Sequence, residues 1–352
     1  MGDVMSRASV ISFFALAMSS SIAAAATTPT MLGVNCESPP PLHCPEANCP
    51  GDLIANMGNA VEPKTNRKYF LDYPCDLKPG EKVTFVLNLH GGGSIGNWQR
   101  HYFPIMDLKE KYRLVVASPS GVIRAWVPDN DDQYLRNIVD QVYEQFGKDN
   151  IKSFWLAGHS QGGQTSNRLI NAQVFRDRLT GWVSLSGGRL GSKRADIRAP
   201  IPAAPATPGL PAPAAPAAPG ATAAAPALAA DASILPDYSF SHIYESGEHE
   251  LTAAGLPGES KWAQKLGCKS QKRAKDIVDT KAGYINDSRV QANPNKVWGL
   301  QAKPGTARVY LYPKCDDGRI VADIVRTDKG HTEGLEPKIT EEIVKLMLSA
   351  KK

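Results

Sequence analysis

Residues 152–162 read KSFWLAGHSQG, and this stretch decides the fold. Its first six residues are largely apolar and predict a buried strand. The strand runs into Gly158-His159-Ser160-Gln161-Gly162, after which residues 163–171 carry apolar side chains at helical spacing. A strand, a sharp turn and a helix in this order form a nucleophile elbow, which exposes a serine hydroxyl on a strained turn. We expect glycines on both sides of Ser160 because the backbone leaves no room there for a Cβ.

A glycine-rich loop follows a second predicted strand, Val83 to Leu89. The loop begins with His90 and continues as three glycines, residues 91–93. Backbone N–H groups in such a loop can approach a substrate because no side chains block them. We expect the N–H groups of Gln161 and Gly92 to hold a developing oxyanion, and His90 to support the loop.

The base is expected to be a histidine that follows the serine, because a strand-elbow-helix fold orders its triad as serine, acid and histidine. The histidines after Ser160 are His242, His249 and His331. His331 lies in a glycine-bracketed segment between a late pair of strands and a closing helix, Pro337 to Leu348, and it is the candidate base. His242 lies within a strand-like run, which favours a structural role.

The acid is predicted on the segment that follows the strand-like run from Tyr238 to Tyr244. A G-x-x-E spacing favours Glu250 as the group that orients His331. Glu248 is the second candidate and Glu245 the third. The glutamates that the triad does not use are expected to be solvated loop charges.

At this point the motifs resemble those of the secreted α/β-hydrolases grouped as polyhydroxybutyrate depolymerase and feruloyl esterase-like proteins. The resemblance extends from about residue 68 to the C-terminus, apart from an insertion at residues 199–230. It implies an α/β-hydrolase fold, with a mostly parallel sheet and helices on both faces, and a disulfide between Cys268 and Cys315. Glu250 departs from the family pattern, in which the acid is usually aspartate. The segments that carry the resemblance are 89–93, 115–121, Trp126 with Asp131-Asp132, 158–163 and 330–331.

The resemblance also implies a function. It indicates a serine esterase that acts on feruloyl-type aryl esters or on similar small or oligomeric esters, with no metal and no organic cofactor. The alternative activity is polyhydroxybutyrate depolymerase, and the alternative of another class is a non-catalytic binding protein on the same fold. Trp98 and Trp126 are candidates for substrate contact because they follow the glycine loop and the next strand.

The N-terminus predicts a signal peptide over residues 1–26. Arg7 supplies the positive end, Ala8 to Met18 is apolar, and an A-x-A site precedes Thr27. We therefore expect a secreted or periplasmic protein with no membrane anchor after cleavage. All six cysteines lie beyond the cleavage point, which fits an oxidising compartment. With Cys268 and Cys315 joined, four cysteines would pair among themselves: Cys36, Cys44, Cys49 and Cys75.

The 352 residues otherwise divide into an extension and one domain. Residues 27–66 are proline-punctuated and predict a disulfide-held extension, and 67–352 predict the catalytic domain. Residues 199–230 interrupt that domain with nine prolines and sixteen alanines, which predicts a disordered or polyproline-like spacer. The net charge of +5 is spread along the chain, which argues against a nucleic-acid partner. Further strands are predicted at 113–118, 181–185, 309–312 and 320–326, and a helix at 132–146.

Overall fold

The computed structural model describes residues 30–36, 58–193, 234–252, 255–256, 258–285 and 303–351. The predicted signal peptide, the alanine- and proline-rich spacer, Cys44 and Cys49 lie outside the described residues. Within them, the strands are β1 (Thr30–Met31), β2 (Val34–Asn35), β3 (Ala60–Glu62), β4 (Arg67–Asp72), β5 (Val83–Leu89), β6 (Leu114–Pro119), β7 (Ile151–His159), β8 (Gly181–Leu185), β9 (Ser241–Gly247), β10 (Lys272–Arg273), β11 (Ile277–Val278), β12 (Thr306–Tyr312) and β13 (Val321–Thr327). The α-helices are α1 (Gly96–Tyr102), α2 (Lys109–Tyr112), α3 (Asn130–Phe146), α4 (Gln161–Leu169), α5 (Gln173–Arg176), α6 (Lys261–Lys265) and α7 (Pro337–Ser349).

One large sheet organises the chain. Its strand order is β10-β12-β13-β9-β8-β7-β5-β6-β4-β3, and β11 also pairs with β12. The central strands β6, β5, β7, β8, β9 and β13 pair in parallel, whereas both edges of the sheet are antiparallel. Parallel neighbours need a crossover connection, which usually contains a helix. This topology confirms the predicted mostly parallel α/β-hydrolase sheet.

Helices cover both faces of this sheet. Side chains alternate between faces along a strand, so Phe154 and Leu156 of β7 point one way and Trp155 and Ala157 the other. The first pair belongs to a core that includes residues of α3, α4 and α6. The second pair belongs to a separate core with residues of α1 and α7. A sheet that is buried on both faces explains why its central strands are continuous apolar runs rather than alternating ones.

Two disulfides join distant parts of the described chain. Cys36, beside the β1–β2 hairpin, is bonded to Cys75 after β4, and Cys268 after α6 is bonded to Cys315 between β12 and β13. The second bond is the one that the resemblance implies. Disulfides of this kind indicate an oxidising compartment. Among the described helices, none combines the length and the apolarity needed to cross a membrane.

Candidate active site

Ser160 lies on the turn between β7 and α4. Its backbone has φ 50° and ψ −113°, a left-handed conformation that a residue with a side chain rarely adopts. Its N–H group donates a hydrogen bond to the carbonyl of Leu185 at 2.9 Å, which ties the turn to the end of β8. Such a conformation costs about 1–3 kcal/mol and persists only where the surrounding structure enforces it. The strain therefore falls on the candidate nucleophile itself.

The glycines around Ser160 are required by close packing. A Cβ at Gly158 would lie 2.5 Å from the backbone of Gly162, and a Cβ at Gly162 would lie 2.3 Å from the carbonyl oxygen of Leu89. Neither gap accommodates a carbon atom, so only glycine lets α4 start directly against the ends of β7 and β5. The G-x-S-x-G spacing thus has a local geometric cause in this chain.

Ser160, His331 and Glu250 form one hydrogen-bonded chain. His331 Nε2 lies 2.8 Å from Ser160 Oγ, and His331 Nδ1 lies 2.6 Å from Glu250 Oε2. Because a carboxylate faces Nδ1, that nitrogen carries the hydrogen, and Nε2 can accept the serine proton. The three residues follow β7, β9 and β13, so parallel strands deliver them to the same edge of the sheet. The structure brings together the three residues predicted for the triad.

Glu250 is fully buried and is held from several sides. Its Oε1 accepts hydrogen bonds from the Ser186 hydroxyl at 2.5 Å and from the Gly247 N–H at 3.1 Å. It ends a single turn of 3₁₀ helix, Glu248–Glu250, and its side chain folds back over that turn. A Cβ at Gly247 would lie 2.4 Å from the carbonyl oxygen of Lys329, so the G-x-x-E spacing marks where this turn meets the segment that carries His331.

The other two glutamates of this region occupy different positions. The expectation that Glu245 is a solvated loop charge is wrong, because it lies fully buried in β9 and accepts a hydrogen bond from Arg326 Nε at 2.6 Å. Burial raises the pKa of Glu245, and the positive charge of Arg326 opposes that shift. Glu248 is partly exposed, pairs with Arg308, and accepts a hydrogen bond from the N–H of Asp328 at 2.9 Å. Both groups stabilise the surroundings of the triad.

Residues 328–336, which we call the histidine loop, are fixed by buried charges. Lys329 Nζ lies 2.7 Å from a Glu336 carboxylate oxygen, and the N–H of Gly330 donates to Glu333 Oε2 at 2.7 Å. Arg326 donates to the backbone carbonyls of Glu333 and Gly334. These groups are almost fully buried, so each contact forms in a medium that screens charge poorly. The loop is therefore held on both sides of His331.

Residues 90–93 form the glycine loop, which we call the oxyanion loop. His90 is buried at its start: its Nε2 accepts a hydrogen bond from the N–H of Gly121 at 2.9 Å, so its Nδ1 carries the hydrogen donated to Gly91 O at 2.7 Å. Burial lowers the pKa of His90 to about 4, so this imidazole stays neutral at ordinary pH. The N–H of Gly93 donates to the carbonyl of Arg124 at 2.7 Å. His90 thus has the supporting position that we expected.

The two residues that are predicted to supply the oxyanion donors, Gly92 and Gln161, pack against each other. A Cβ at Gly92 would be 3.4 Å from Oε1 of Gln161, and that same oxygen accepts a hydrogen bond from the N–H of Trp126 at 3.2 Å. Gln161 is the first residue of α4, where a helix leaves its N–H groups without internal partners. Within the part of the chain that the structure describes, neither the Gly92 nor the Gln161 N–H group donates to a protein acceptor.

The two predicted substrate-contact tryptophans differ in their surroundings. Trp126 is 1% exposed, donates from Nε1 to the His90 carbonyl at 2.7 Å, and packs against the His90 ring. Because so little of its side chain reaches the surface, Trp126 supports the oxyanion loop, and the prediction of substrate contact is corrected. Trp98 is half-buried, with its ring stacked on Tyr102 at 4.8 Å and 5.4 Å from the ring of His159. Because His159 directly precedes Ser160, this contact places Trp98 beside the elbow, and Trp98 remains a candidate for substrate contact.

Ser186, whose hydroxyl donates to Glu250, was not predicted from the motifs. It follows β8, the neighbour of the strand that carries the elbow, and it has a positive φ of 52°. The Ser-Gly-Gly run from residue 186 to 188 marks only a turn, so the residue could be found only by knowing that β8 and β9 are neighbours.

Comparison with known proteins leaves the family of this chain open. No family model matches it, and no curated protein matches it. Among solved structures, an acetyl xylan esterase from Aspergillus awamori is similar with 12% identity, a TM-score of 0.43, and coverage of 80% of this chain and 94% of that one. An S-formylglutathione hydrolase from Staphylococcus aureus has 20% identity and a TM-score of 0.30, over 37% of this chain and 55% of that one. A thermophilic esterase from Thermogutta terrifontis has 16% identity and a TM-score of 0.27, over 35% of this chain and 49% of that one.

Proposed function

We propose that this protein is a serine ester hydrolase that works through an acyl-enzyme. The observation that carries the proposal is the unbroken hydrogen-bond chain from Glu250 through His331 to Ser160, with links of 2.6 and 2.8 Å. A serine hydroxyl is a poor nucleophile until an adjacent base takes its proton. Here the base is buried and oriented by a carboxylate, while Ser160 remains partly exposed. A protein that only bound ligands would not need this chain of three residues.

The geometry supports a two-step reaction. Ser160 Oγ attacks the ester carbonyl carbon while His331 Nε2 takes the hydroxyl proton. The carbonyl oxygen becomes negative and is held by the N–H groups of Gln161 and Gly92, each worth about 3–4 kcal/mol of transition-state stabilisation. The bond to the alcohol then breaks, and His331 returns the proton to the departing oxygen. Water, deprotonated by the same nitrogen, then attacks the acyl carbonyl carbon, and His331 returns this proton to Ser160 Oγ as the bond to the acid breaks. Glu250 stabilises the imidazolium in both steps.

For the substrate we favour feruloyl-type aryl esters or similar small esters. Trp98 supports this choice, because a half-buried indole beside the elbow offers a flat apolar face to an aromatic acyl group. No metal and no organic cofactor takes part in this mechanism.

A polyester substrate is the second candidate, and one observation favours it. Val122 and Ile123 are 53% and 55% exposed, on the segment whose Arg124 carbonyl accepts the N–H of Gly93. Two neighbouring exposed apolar side chains on the segment that is bonded to the oxyanion loop are the observation that supports an apolar contact surface. An insoluble aliphatic polyester would offer the apolar surface that these two side chains fit.

The first experiment measures product release from methyl ferulate and from amorphous polyhydroxybutyrate in parallel, with Ser160→Ala as the blank. We expect ferulate release that vanishes in Ser160→Ala and that falls about tenfold in kcat/KM in Trp98→Ala, since about 1.4 kcal/mol of contact is removed. A Val122→Ser/Ile123→Ser double variant should leave ferulate release nearly unchanged. Polymer hydrolysis by the wild type that is lost in this double variant would move the substrate to polyesters. Activity that survives in Ser160→Ala would contradict the mechanism.

We further propose that the chain is exported and cleaved before Thr27. The support is the signal-like composition of residues 1–26, together with the two disulfides, which need an oxidising compartment to form. N-terminal sequencing of the protein from the culture medium or periplasm should begin at Thr27. Recovery of the full-length chain from the cytoplasm alone would contradict this proposal.

A further inference from the structure

His159 links the segment of the candidate nucleophile to the segment of the candidate base. It precedes Ser160 directly in the chain, yet its ring Nε2 lies 2.8 Å from the backbone carbonyl oxygen of His331. A carbonyl oxygen can only accept, so the hydrogen of this bond sits on His159 Nε2. The segment that carries the nucleophile is thereby bonded to the residue that must take the proton of that nucleophile.

The same carbonyl accepts a second hydrogen bond. The hydroxyl of Tyr102 lies 3.2 Å from His331 O, and the carbonyl of Tyr102 accepts the N–H of Leu335 at 2.7 Å. Burial, reinforced by the charge of Glu245, raises the pKa of Tyr102 well above its ordinary value, so the phenol keeps its proton and remains a donor. Tyr102, the last residue of helix α1, is thus hydrogen-bonded to both the His331 carbonyl and the Leu335 N–H of the histidine loop.

The His159 ring is enclosed by Tyr102, by His331 and by the oxyanion loop. Its ring lies 4.0 Å from that of Tyr102 and 4.7 Å from that of His331, and the residue is 3% exposed. A Cβ at Gly91 would lie 2.6 Å from His159 Nδ1, so the oxyanion loop packs directly on the imidazole. The His159 side chain therefore contacts the oxyanion loop, the histidine loop and the ring of Tyr102.

We infer that His159, assisted by Tyr102, is a positioning residue that sets the place of the His331 imidazole by holding its backbone carbonyl. The inference rests on the proposed function, because it concerns how the same base is aligned. Glu250 and Ser160 contact the two ring nitrogens of His331, which fixes the plane of the ring. The carbonyl contacts fix the point from which the side chain leaves the backbone. Displacement of a reacting group by 1 Å typically lowers a rate about a hundredfold.

The ordinary alternative is that His159 only fills space in the core. A space-filling residue can be replaced by an apolar side chain of similar volume at some loss of stability and no loss of rate. A positioning residue instead needs a donor at the place of Nε2. Glutamine provides an N–H near that place and leucine does not, so the two substitutions separate the two roles.

The test uses His159→Leu, His159→Gln and Tyr102→Phe in the full chain, with His242→Leu as the matched control. His242 is also a buried imidazole, but it lies in β9 against the Trp182 carbonyl. The readouts are kcat and KM with p-nitrophenyl acetate, and the rate at which a fluorophosphonate probe labels Ser160. We expect His159→Leu to lower kcat and the labelling rate about 10–100-fold with little change in KM, His159→Gln to restore most of both, and Tyr102→Phe to lower both by a smaller factor. His242→Leu should lower the thermal midpoint and leave both rates unchanged.

Two results would overturn the inference. One is a His159→Leu protein that is labelled at the wild-type rate, and the other is a His159→Gln protein as slow as His159→Leu. If the wild type neither reacts with the probe nor hydrolyses esters, the proposed function has failed. In that case the nuclear magnetic resonance signal of the His331 Nδ1 hydrogen, which is bonded to Glu250, still decides the positioning role. It should shift or broaden in His159→Leu and be retained in His159→Gln, and an unchanged signal in His159→Leu overturns the inference.

Discussion

Replacement of Glu250 by glutamine should disable His331 as the base, because it reverses the direction of the hydrogen bond at His331 Nδ1. Oε1 of Glu250 accepts from the Ser186 hydroxyl at 2.5 Å and from the Gly247 N–H at 3.1 Å. The amide of glutamine must therefore turn its oxygen toward these two donors, because its NH₂ group cannot accept from either. The NH₂ group then faces His331 Nδ1. That nitrogen becomes the acceptor, and the hydrogen of the neutral imidazole moves to Nε2, where it blocks proton transfer from Ser160.

The size of the loss in kcat depends on which tautomer of the neutral His331 imidazole is dominant in Glu250→Gln. In the opposite amide orientation the Ser186 hydroxyl could turn and accept from NH₂, but the Gly247 N–H would be left unsatisfied, at about 1–3 kcal/mol for a buried group. The unreactive tautomer is therefore dominant, and loss of the orienting carboxylate in such a triad lowers kcat by about 10⁴, or about 5.5 kcal/mol. We expect Glu250→Gln to lower kcat by about 10³–10⁴ at pH 7. KM should change by only a small factor, since Glu250 is buried away from the substrate.

The assay is steady-state hydrolysis of an activated ester, with circular dichroism to show that the variant is folded. Glu248→Gln is the matched control, because Glu248 is two residues away and pairs with Arg308 at the surface. It should retain kcat within about threefold, because the glutamine oxygen can still accept from the Asp328 N–H and only a surface ion pair worth less than about 1 kcal/mol is lost. A Glu250→Gln protein within tenfold of wild type, or a Glu248→Gln protein that loses as much activity, would refute the assignment of the acid.

Three further expectations concern packing, pH and the covalent framework. Gly162→Ala places a Cβ 2.3 Å from the Leu89 carbonyl oxygen and should lower kcat at least tenfold by moving α4, whereas Gly258→Ala, which meets nothing within 4 Å, should not. Burial lowers the pKa of three histidines from 6.5 to about 4: His90, His101 and His242. Their contribution to stability is present above pH 6.5 and is lost as the pH falls toward 4, by up to about 3 kcal/mol each, so urea midpoints should drop steeply between pH 6.5 and 4. Removal of the Cys268–Cys315 bond, which closes a separation of 47 residues, should cost about 4 kcal/mol of unfolding free energy and is checked by thermal unfolding of the double serine variant.

The parts of the fold that the sequence predicted are those that hydrophobic burial controls. Strands β5 and β8 have the predicted bounds, and β7 contains the predicted strand, because a sheet covered on both faces produces unbroken apolar runs. Helix α1 was not predicted. Its buried residues include Asn97, Gln99 and Arg100, and Arg100 is held by two hydrogen bonds to Asp72 from β4. A helix buried through polar contacts has no apolar periodicity for the sequence to reveal.

The candidate site likewise contains residues that the sequence predicted and residues that it did not. Ser160 and His331 could be assigned because each is set in a glycine pattern that local geometry requires. Glu245 was misjudged because its buried partner, Arg326, is 81 residues away in the chain, on the neighbouring strand β13. Ser186 and His159 were overlooked for the same reason, since their partners are brought close only by the order of the strands. Contacts between distant segments are the part of a site that a single sequence does not show.

The spacing of the triad along the chain ties this site to the last stages of folding. His331 is 171 residues from Ser160 and 81 from Glu250, so the three meet only after β13 has docked on β9. Contacts between such distant residues form late, because the entropy of closing long loops must be overcome first. A chain that is folded only in its first half has the elbow with Ser160 but lacks His331, the base. Ser160 therefore has no base to activate it until the whole sheet is assembled.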